Sequence, residues 1–224
     1  MDNLELHDNN LEDIELALEK VFVAFGISCV NNEMAHIQTF GEMCDYIETK
    51  INREHVGDCT TQQAFYKLRD AFSSVLKVDT SSITPSTEIA NLLPAKHRKK
   101  RISQIENRIR IKLNILEAPH WITYSLILLF LLSLGILFVS TAVGLFGIAA
   151  FIVGGVLARV FGNELTVDDI GHLAQKITNE HYVNVRRNPQ TMNKREVRNV
   201  IMNIFERELD VDASKLTNDA RLRR

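Results

Sequence analysis

Seven histidines and three cysteines are the residues of this chain whose chemistry could support a metal site or covalent catalysis. The histidines form no HExxH pattern and no pair at helical spacing, so a zinc site is not predicted. The cysteines form no CxxC pair, and their odd number is atypical of a disulfide framework. The sequence contains no GxSxG elbow and no glycine-rich phosphate loop. We therefore expect no enzyme activity, no cofactor and no metal; the residues concerned are His7, His36, His55, His97, His120, His172, His181, Cys29, Cys44 and Cys59.

Charge is distributed unevenly along the chain, although its formal net charge is only -2. Residues 1–63 contain thirteen Asp and Glu against three Lys and Arg, whereas residues 96–112 contain eight cations and one acid. As a helix, the basic segment places Ile102, Ile105, Ile109 and Leu113 on one face and its cations on the others. The cations have three interpretations: membrane topology, binding of anionic headgroups, or contact with an acidic protein surface. Nucleic acid is not predicted, because no set of stacking aromatic residues accompanies the cations. The cations that matter here are Arg98, Lys99, Lys100, Arg101, Arg108, Arg110, Lys112 and, further along, Arg159.

The segment from Trp121 to Ala158 contains no charged residue. It is nearly twice the roughly 20 residues that cross a bilayer as one helix, so it predicts two spans, 122–139 and 143–160, forming a transmembrane hairpin at 121–160. Gly147, Gly154 and Gly155 would let the two helices approach closely. A buried hairpin in a soluble protein is the alternative. Basic flanks predict that both termini are cytoplasmic, in a bacterial inner membrane, and no secretory signal is expected.

Two amphipathic helices are predicted, one before and one after this apolar segment. Residues 64–76 and 196–209 each place apolar side chains on one stripe at helical spacing. Each leads into nearly the same heptapeptide, VDTSSIT at 78–84 and VDASKLT at 211–217. A second similarity joins TFGEMCDYI to TVDDIGHLA, in which Thr39 and Thr166 are expected to cap helices. These repeats, 133 and 127 residues apart, predict an internal duplication.

The order of these elements resembles that of the acyl carrier protein family, in which a helix and a long loop precede a second helix and a short last helix. By this resemblance residues 194–224 supply the first helix and loop of one lobe, and residues 1–52 supply its remaining helices, as in a circular permutation. Residues 64–117 with 163–180 resemble a second copy. The resemblance implies an all-α fold of two small helical lobes plus the two-helix hairpin.

The serine that carries phosphopantetheine in that family has no counterpart here. The corresponding stretch is Asp8-Asn9-Asn10-Leu11, which offers no hydroxyl nucleophile. In the second copy the equivalent region, LLPAKHRKKRIS, has Ser103 as its one hydroxyl, beside Arg and Lys rather than acids. The resemblance thus implies the family's fold without its prosthetic group.

We expect a non-enzymatic, membrane-anchored protein that uses carrier-like lobes for protein recognition or scaffolding. The docking face would be Glu12, Asp13, Glu15 and Glu19, and the partner an enzyme that uses acyl carrier proteins, a toxin or another membrane protein. Two alternatives stay open: a true acyl carrier in membrane-associated fatty-acid or lipid synthesis, and an immunity-type membrane protein that neutralises a toxin. Residues 181–193 resemble a linker, which leaves a domain-swapped homodimer open.

Overall fold

The computed structural model describes residues 11–28, 33 and 37–222, apart from the side chain of Leu11. It is 66% helix and 6% strand, which confirms the predicted all-α class. The strands are two-residue segments: Glu54–His55 pairs in parallel with Thr191–Met192, and Leu116–Glu117 pairs antiparallel with Glu164–Leu165. The elements are α1 Leu11–Phe25, α2 Phe40–Lys50, β1 Glu54–His55, α3 Thr60–Leu76, α4 Ile89–Leu92, α5 Arg98–Ile109, β2 Leu116–Glu117, α6 His120–Leu137, α7 Thr141–Phe161, β3 Glu164–Leu165, α8 Ile170–Glu180, α9 Tyr182–Val185, β4 Thr191–Met192 and α10 Lys194–Leu209.

Two compact units divide the chain, a first of residues 1–71 and 171–224 and a second of residues 72–170. The core of the first unit lies among α1, α2, α9 and α10. Ile14 and Val21 on α1 are buried together with Ile201 and Phe205 on α10. Phe40, at the start of α2, packs edge-on against Phe205 with ring centroids 5.4 Å apart. Helices from both sides of the apolar segment therefore share one core within a single chain.

Residues 181–193, which the sequence suggested as a linker, are anchored in the first unit. They contain α9 and β4, and both Tyr182 and Arg186 are fully buried. The Arg186 guanidinium donates to Thr60 Oγ1 at 2.6 Å and to Thr191 Oγ1 at 3.2 Å, and it pairs with Asp58. The prediction of a linker here is wrong, because a buried charge with three partners resists separation; the domain-swapped homodimer stays a prediction.

The repeated heptapeptide has the same local structure in both places. Asp79 and Asp212 each accept a hydrogen bond from the backbone of the serine two residues later, at 3.0 and 2.7 Å, and a 3-10 turn follows. These serine hydrogen bonds lower the pKa of both carboxyls below its ordinary value. The helix before each loop is followed by a residue in the left-handed region, Lys77 or Asp210.

Just after each repeated loop, the chain forms an isolated antiparallel bridge with the residue before another helix, α2 in the first unit and α8 in the second. Thr39 pairs with Arg221 in the first unit, and Asp169 pairs with Glu88 in the second. Thr39 forms the predicted capping box at the start of α2, since its hydroxyl and the N3 carboxylate each accept from the other's backbone. The matching prediction for Thr166 is wrong, because α8 begins four residues later. The residue that corresponds to Thr39 is Asp169.

Helix α5 is shorter than the predicted basic helix. Arg110 adopts a left-handed conformation with φ 59° and ends it. Its successors 111–115 alternate between buried apolar and exposed polar side chains, a period typical of extended chain. Leu113 N and Lys112 Nζ each donate to the Glu106 carboxylate at 2.9 Å, which holds this segment against α5. Arg110 and Lys112 thus lie outside the helix.

Helices α6 and α7 pack along each other and are long and apolar enough to cross a membrane. Their 18 and 21 residues correspond to about 27 and 32 Å, against a hydrocarbon core of about 30 Å. Only 6% of the most apolar window of each helix is buried, whereas a core helix of a soluble protein is mostly buried. The predicted bounds of both helices are confirmed to within two residues.

Glycines on α7 set the distance between the two helices. A Cβ on Gly147 would lie 2.1 Å from Ser133 Oγ, and one on Gly154 would lie 2.6 Å from the Leu126 side chain. These contacts confirm the predicted close approach. The same expectation for Gly155 is wrong, because a Cβ there would meet no atom within 4 Å.

The ribbon of β2 and β3 joins the two ends of this hairpin. Leu116 pairs with Leu165, and Glu117 pairs with Glu164. Two residues separate Glu117 from the start of α6, and two separate the end of α7 from Glu164. Gly162 passes so close to Glu117 that a Cβ would lie 2.5 Å from its carbonyl carbon. The start of α6 and the end of α7 are therefore held at one place.

Candidate functional site

One face of α1 carries acidic and apolar side chains side by side. Glu12, Glu15 and Glu19 are exposed there. Leu16 and Val23, which follow Glu12 and Glu19 by one helical turn, are 46% and 62% exposed. Asp13, the fourth predicted docking residue, is half-buried at the edge of this face. We call Glu12, Glu15, Leu16, Glu19 and Val23 the α1 face.

The α1 face differs from an ordinary solvated helix surface in two respects. Across the described ranges of the chain, none of its three carboxylates is paired with a cation. Its two large apolar side chains lie between the acids rather than toward the core, which is already filled by the opposite side of α1. The charge pattern predicted the acids of this face but not Leu16 and Val23, which a helical wheel places beside them.

The flank of α1 is charge-neutralised, in contrast to its face. Lys20 forms an ion pair with Glu208 on α10, and Arg207 donates to the same carboxylate at 2.9 Å. Burial is the largest single influence on Glu208 and would raise its pKa, but the hydrogen bonds from Lys20 and Arg207 lower that pKa overall. These pairs stabilise the packing of α1 on α10 and leave the α1 face as the unneutralised surface.

Three of the eight predicted cations are engaged within the second unit. Arg98 donates to the Leu93 carbonyl at 2.7 Å and to the Asn163 carbonyl. Lys99 donates to the Val160 carbonyl in the last turn of α7, where a cation interacts favourably with the negative end of the helix dipole. Lys112 pairs with Glu106 at 2.9 Å.

The remaining five cations contact no acidic partner among residues 11–28, 33 and 37–222. Lys100, Arg108, Arg110 and Arg159 are exposed, and Arg101 is half-buried. Lys100 and Arg101 lie in the first turn of α5 together with Arg98 and Lys99, which contact the end of α7 and the residues just after it. Arg159 lies in the last turn of α7 itself. Arg108 lies nine residues beyond Lys99, about 13 Å along the helix axis.

An open groove of about 520 Å³ lies in the second unit beside the β2–β3 ribbon. Three carboxylates, Glu88, Glu164 and Asp168, line it together with Arg98, whose guanidinium is already held by two carbonyls. The groove is open to solvent and has apolar as well as charged walls, and we assign it no chemistry.

The cysteines and the stretch that corresponds to the carrier motif are the next residues that could do chemistry. Cys44 is buried, and its burial raises the pKa of the thiol to about 12, so this sulfur is unreactive. Cys59 is exposed, while Cys29 and the stretch Asp8 to Asn10 lie outside the described residues. Within the described part of the chain no group of three His, Cys, Asp or Glu could hold a metal ion.

Ser103 lies at an exposed position of α5, three residues before Glu106, whose carboxylate already accepts from Lys112 and Leu113. No family model, no curated protein and no solved structure matches this chain.

Proposed function

We propose that this protein is a non-enzymatic, membrane-anchored interaction module. It holds two acyl-carrier-like lobes at the cytoplasmic face of a bacterial inner membrane and presents α1 to a protein partner. The observation that carries the proposal is the α1 face, where unpaired carboxylates surround the exposed Leu16 and Val23. Interface cores combine apolar anchors with a polar rim in this way.

Anchoring by α6 and α7 is supported by their exposure and by the charges at their ends. Both helices leave their apolar side chains uncovered along their length. The cations gather at the end where the chain enters α6 and leaves α7, and the other end carries none. Positive charge on that side predicts that it is cytoplasmic.

The acyl-carrier likeness is supported by the repeat of a helix, a capped 3-10 turn and a bridge to the start of another helix. The loops are offset by 133 residues, and the bridged residues are offset by 133 residues (Glu88 and Arg221) and by 130 residues (Thr39 and Asp169). Such regular offsets favour a duplicated module. The missing phosphopantetheine serine favours recognition over acyl transfer.

A photo-crosslinking experiment on the full chain tests the proposed partner surface. Val23 is replaced by benzoylphenylalanine, and we expect a discrete protein adduct in cells. Glu12→Lys/Glu15→Lys should abolish that adduct, because it reverses the charge of the face. Glu206→Lys/Asp219→Lys changes the net charge equally at exposed acids elsewhere and should preserve it. An adduct that survives the first variant, or that both variants abolish, would contradict the proposal.

A true carrier function is the second candidate, because Ser103 is exposed. Intact mass after co-expression with a broad-specificity phosphopantetheinyl transferase separates the two functions. We expect the unmodified mass; addition of one phosphopantetheine group would replace recognition by acyl transfer.

A further inference from the structure

The first turn of α5 lies at the foot of the hairpin, where its two helices join the rest of the second unit. Lys99 donates to the carbonyl of Val160 and lies 5.7 Å from the centre of the Phe161 ring. Asn163, two residues beyond α7, donates its amide to the Ala95 carbonyl at 3.1 Å, just before α5. These contacts fix the start of α5 beside the last turn of α7.

Exposed aromatic side chains mark the same end of the hairpin. Trp121, in the first turn of α6, is 68% exposed, and Phe161, in the last turn of α7, is 72% exposed. The β2–β3 ribbon holds these two turns together. Tryptophan is enriched at the level of lipid headgroups, so Trp121 marks that level at this end of the hairpin.

The cations at this foot divide into two groups by their contacts. Arg98 and Lys99 donate hydrogen bonds to backbone carbonyls, so these two side chains are already engaged within the second unit. Lys100 and Arg159 are exposed and contact no acid in the described chain, and Arg101 is half-buried beside them. The second group therefore lies on the same two turns, which the Lys99–Val160 contact joins, and its charge is not neutralised by any acid of the described residues.

We propose that Lys100, Arg101 and Arg159 bind the phosphate groups of anionic phospholipids at the cytoplasmic leaflet. This inference rests on the proposed membrane anchoring and adds the chemical class of the lipid. The occupant is a lipid, rather than a free phosphate, because the cations adjoin lipid-facing side chains. Each cation near an anionic leaflet strengthens binding about five-fold.

The sole tryptophan of the chain, Trp121, supplies a local reporter of bound lipid. The full chain is reconstituted in phosphatidylcholine vesicles, and quenching of Trp121 fluorescence by brominated phosphatidylcholine is measured first. Quenching in this arm establishes contact with acyl chains and so tests the anchoring alone. Brominated phosphatidylglycerol is then added as a minor component of unbrominated phosphatidylcholine, and the ratio of the two association constants gives the selectivity for anionic lipid.

Two variants with the same change of charge make the test specific. Lys100→Gln/Arg159→Gln removes two exposed cations from the foot, and the selectivity should fall by about five-fold to twenty-five-fold. Arg108→Gln/Lys215→Gln removes two exposed cations elsewhere and should leave the selectivity unchanged.

Each outcome bears on one claim. Quenching by brominated phosphatidylcholine without preference for phosphatidylglycerol, or equal loss in both variants, would overturn the headgroup site and keep the anchor. Loss of selectivity on adding inorganic phosphate at constant ionic strength would assign the cations to soluble phosphate. An absence of quenching by brominated phosphatidylcholine would refute the anchoring on which the inference rests.

Discussion

Replacing Asp58 by Asn should destabilise the first unit far more than its exposed position suggests. The side chain of Asp58 is 47% exposed, but that of its partner Arg186 is fully buried. The substitution keeps an oxygen that can accept from Arg186 and removes the compensating charge. Breaking a buried pair costs about 3–5 kcal/mol, and partial access of water at Asp58 places this case near 3 kcal/mol. Asp45→Asn, at an exposed pair with Arg198, should cost less than about 1 kcal/mol.

The same substitution in an Arg186→Met background isolates the role of charge. Asp58 also accepts a hydrogen bond from Gln63 at 2.6 Å, and without the guanidinium only this bond is weakened, at a cost of about 1 kcal/mol. The difference between the two backgrounds should therefore be about 2 kcal/mol of coupling.

Labelling of Cys44 provides the assay, because this thiol is buried in the core of the first unit. With Cys29 and Cys59 replaced by Ser, the rate of alkylation in detergent micelles as a function of urea reports the free energy of opening. A reporter confined to one unit is needed, since a chain of two units does not unfold as a two-state system. If Asp58→Asn costs the same in both backgrounds to within about 0.5 kcal/mol, the charge pairing described here is refuted.

Three further predictions concern other parts of the molecule. Gly147→Val should destabilise the hairpin in micelles by about 1–3 kcal/mol, because its side chain would overlap Ser133, whereas Gly155→Val should be neutral; equal thermal shifts would contradict this packing. Glu208→Gln should lower the free energy of unfolding at neutral pH and flatten its decrease below pH 4.5, the ordinary pKa of this carboxyl. A carboxyl whose pKa is lowered in the folded state stabilises the protein above its ordinary pKa and loses this contribution as the pH falls. Urea titrations that show the same decrease at acid pH in the variant and the parent would exclude this contribution. Lys100→Glu should stabilise the second unit by about 0.3–1 kcal/mol in uncharged detergent, since it replaces a cation near the positive end of the α5 dipole, and a lower melting temperature would reverse that conclusion.

The hairpin and the long amphipathic helices could be predicted because each depends on a local pattern. Thirty-eight residues without charge leave few alternatives to two apolar helices, and α3 and α10 follow a regular stripe of buried side chains. The end of α5 was missed because its helical stripe passes without interruption into Ile111, Leu113 and Ile115, which alternate as in extended chain. That alternation was the available signal.

The buried cluster around Arg186 could not be predicted, because its partners are distant in the sequence. Arg186 and Arg187 are adjacent and chemically identical, yet Arg186 is buried and Arg187 is exposed. The choice between them depends on Asp58 and Thr60, more than 120 residues earlier. The acids of α1 could be predicted from the sequence pattern. The exposure of Leu16 could not, because it depends on which side of α1 the rest of the core covers.

The shared core of α1 and α10 also sets an order of events during translation. About 170 residues separate the end of α1 from the start of α10, which a ribosome adding about 5–20 residues per second needs roughly 8–34 s to complete. During that interval α6 and α7 emerge, while the buried side of α1 still lacks the helix that covers it. Nascent chains therefore pass through a stage in which α6 and α7 are complete while the apolar side of α1 is still exposed. We expect a holdase chaperone to bind the nascent chain at this stage, through the exposed apolar side of α1.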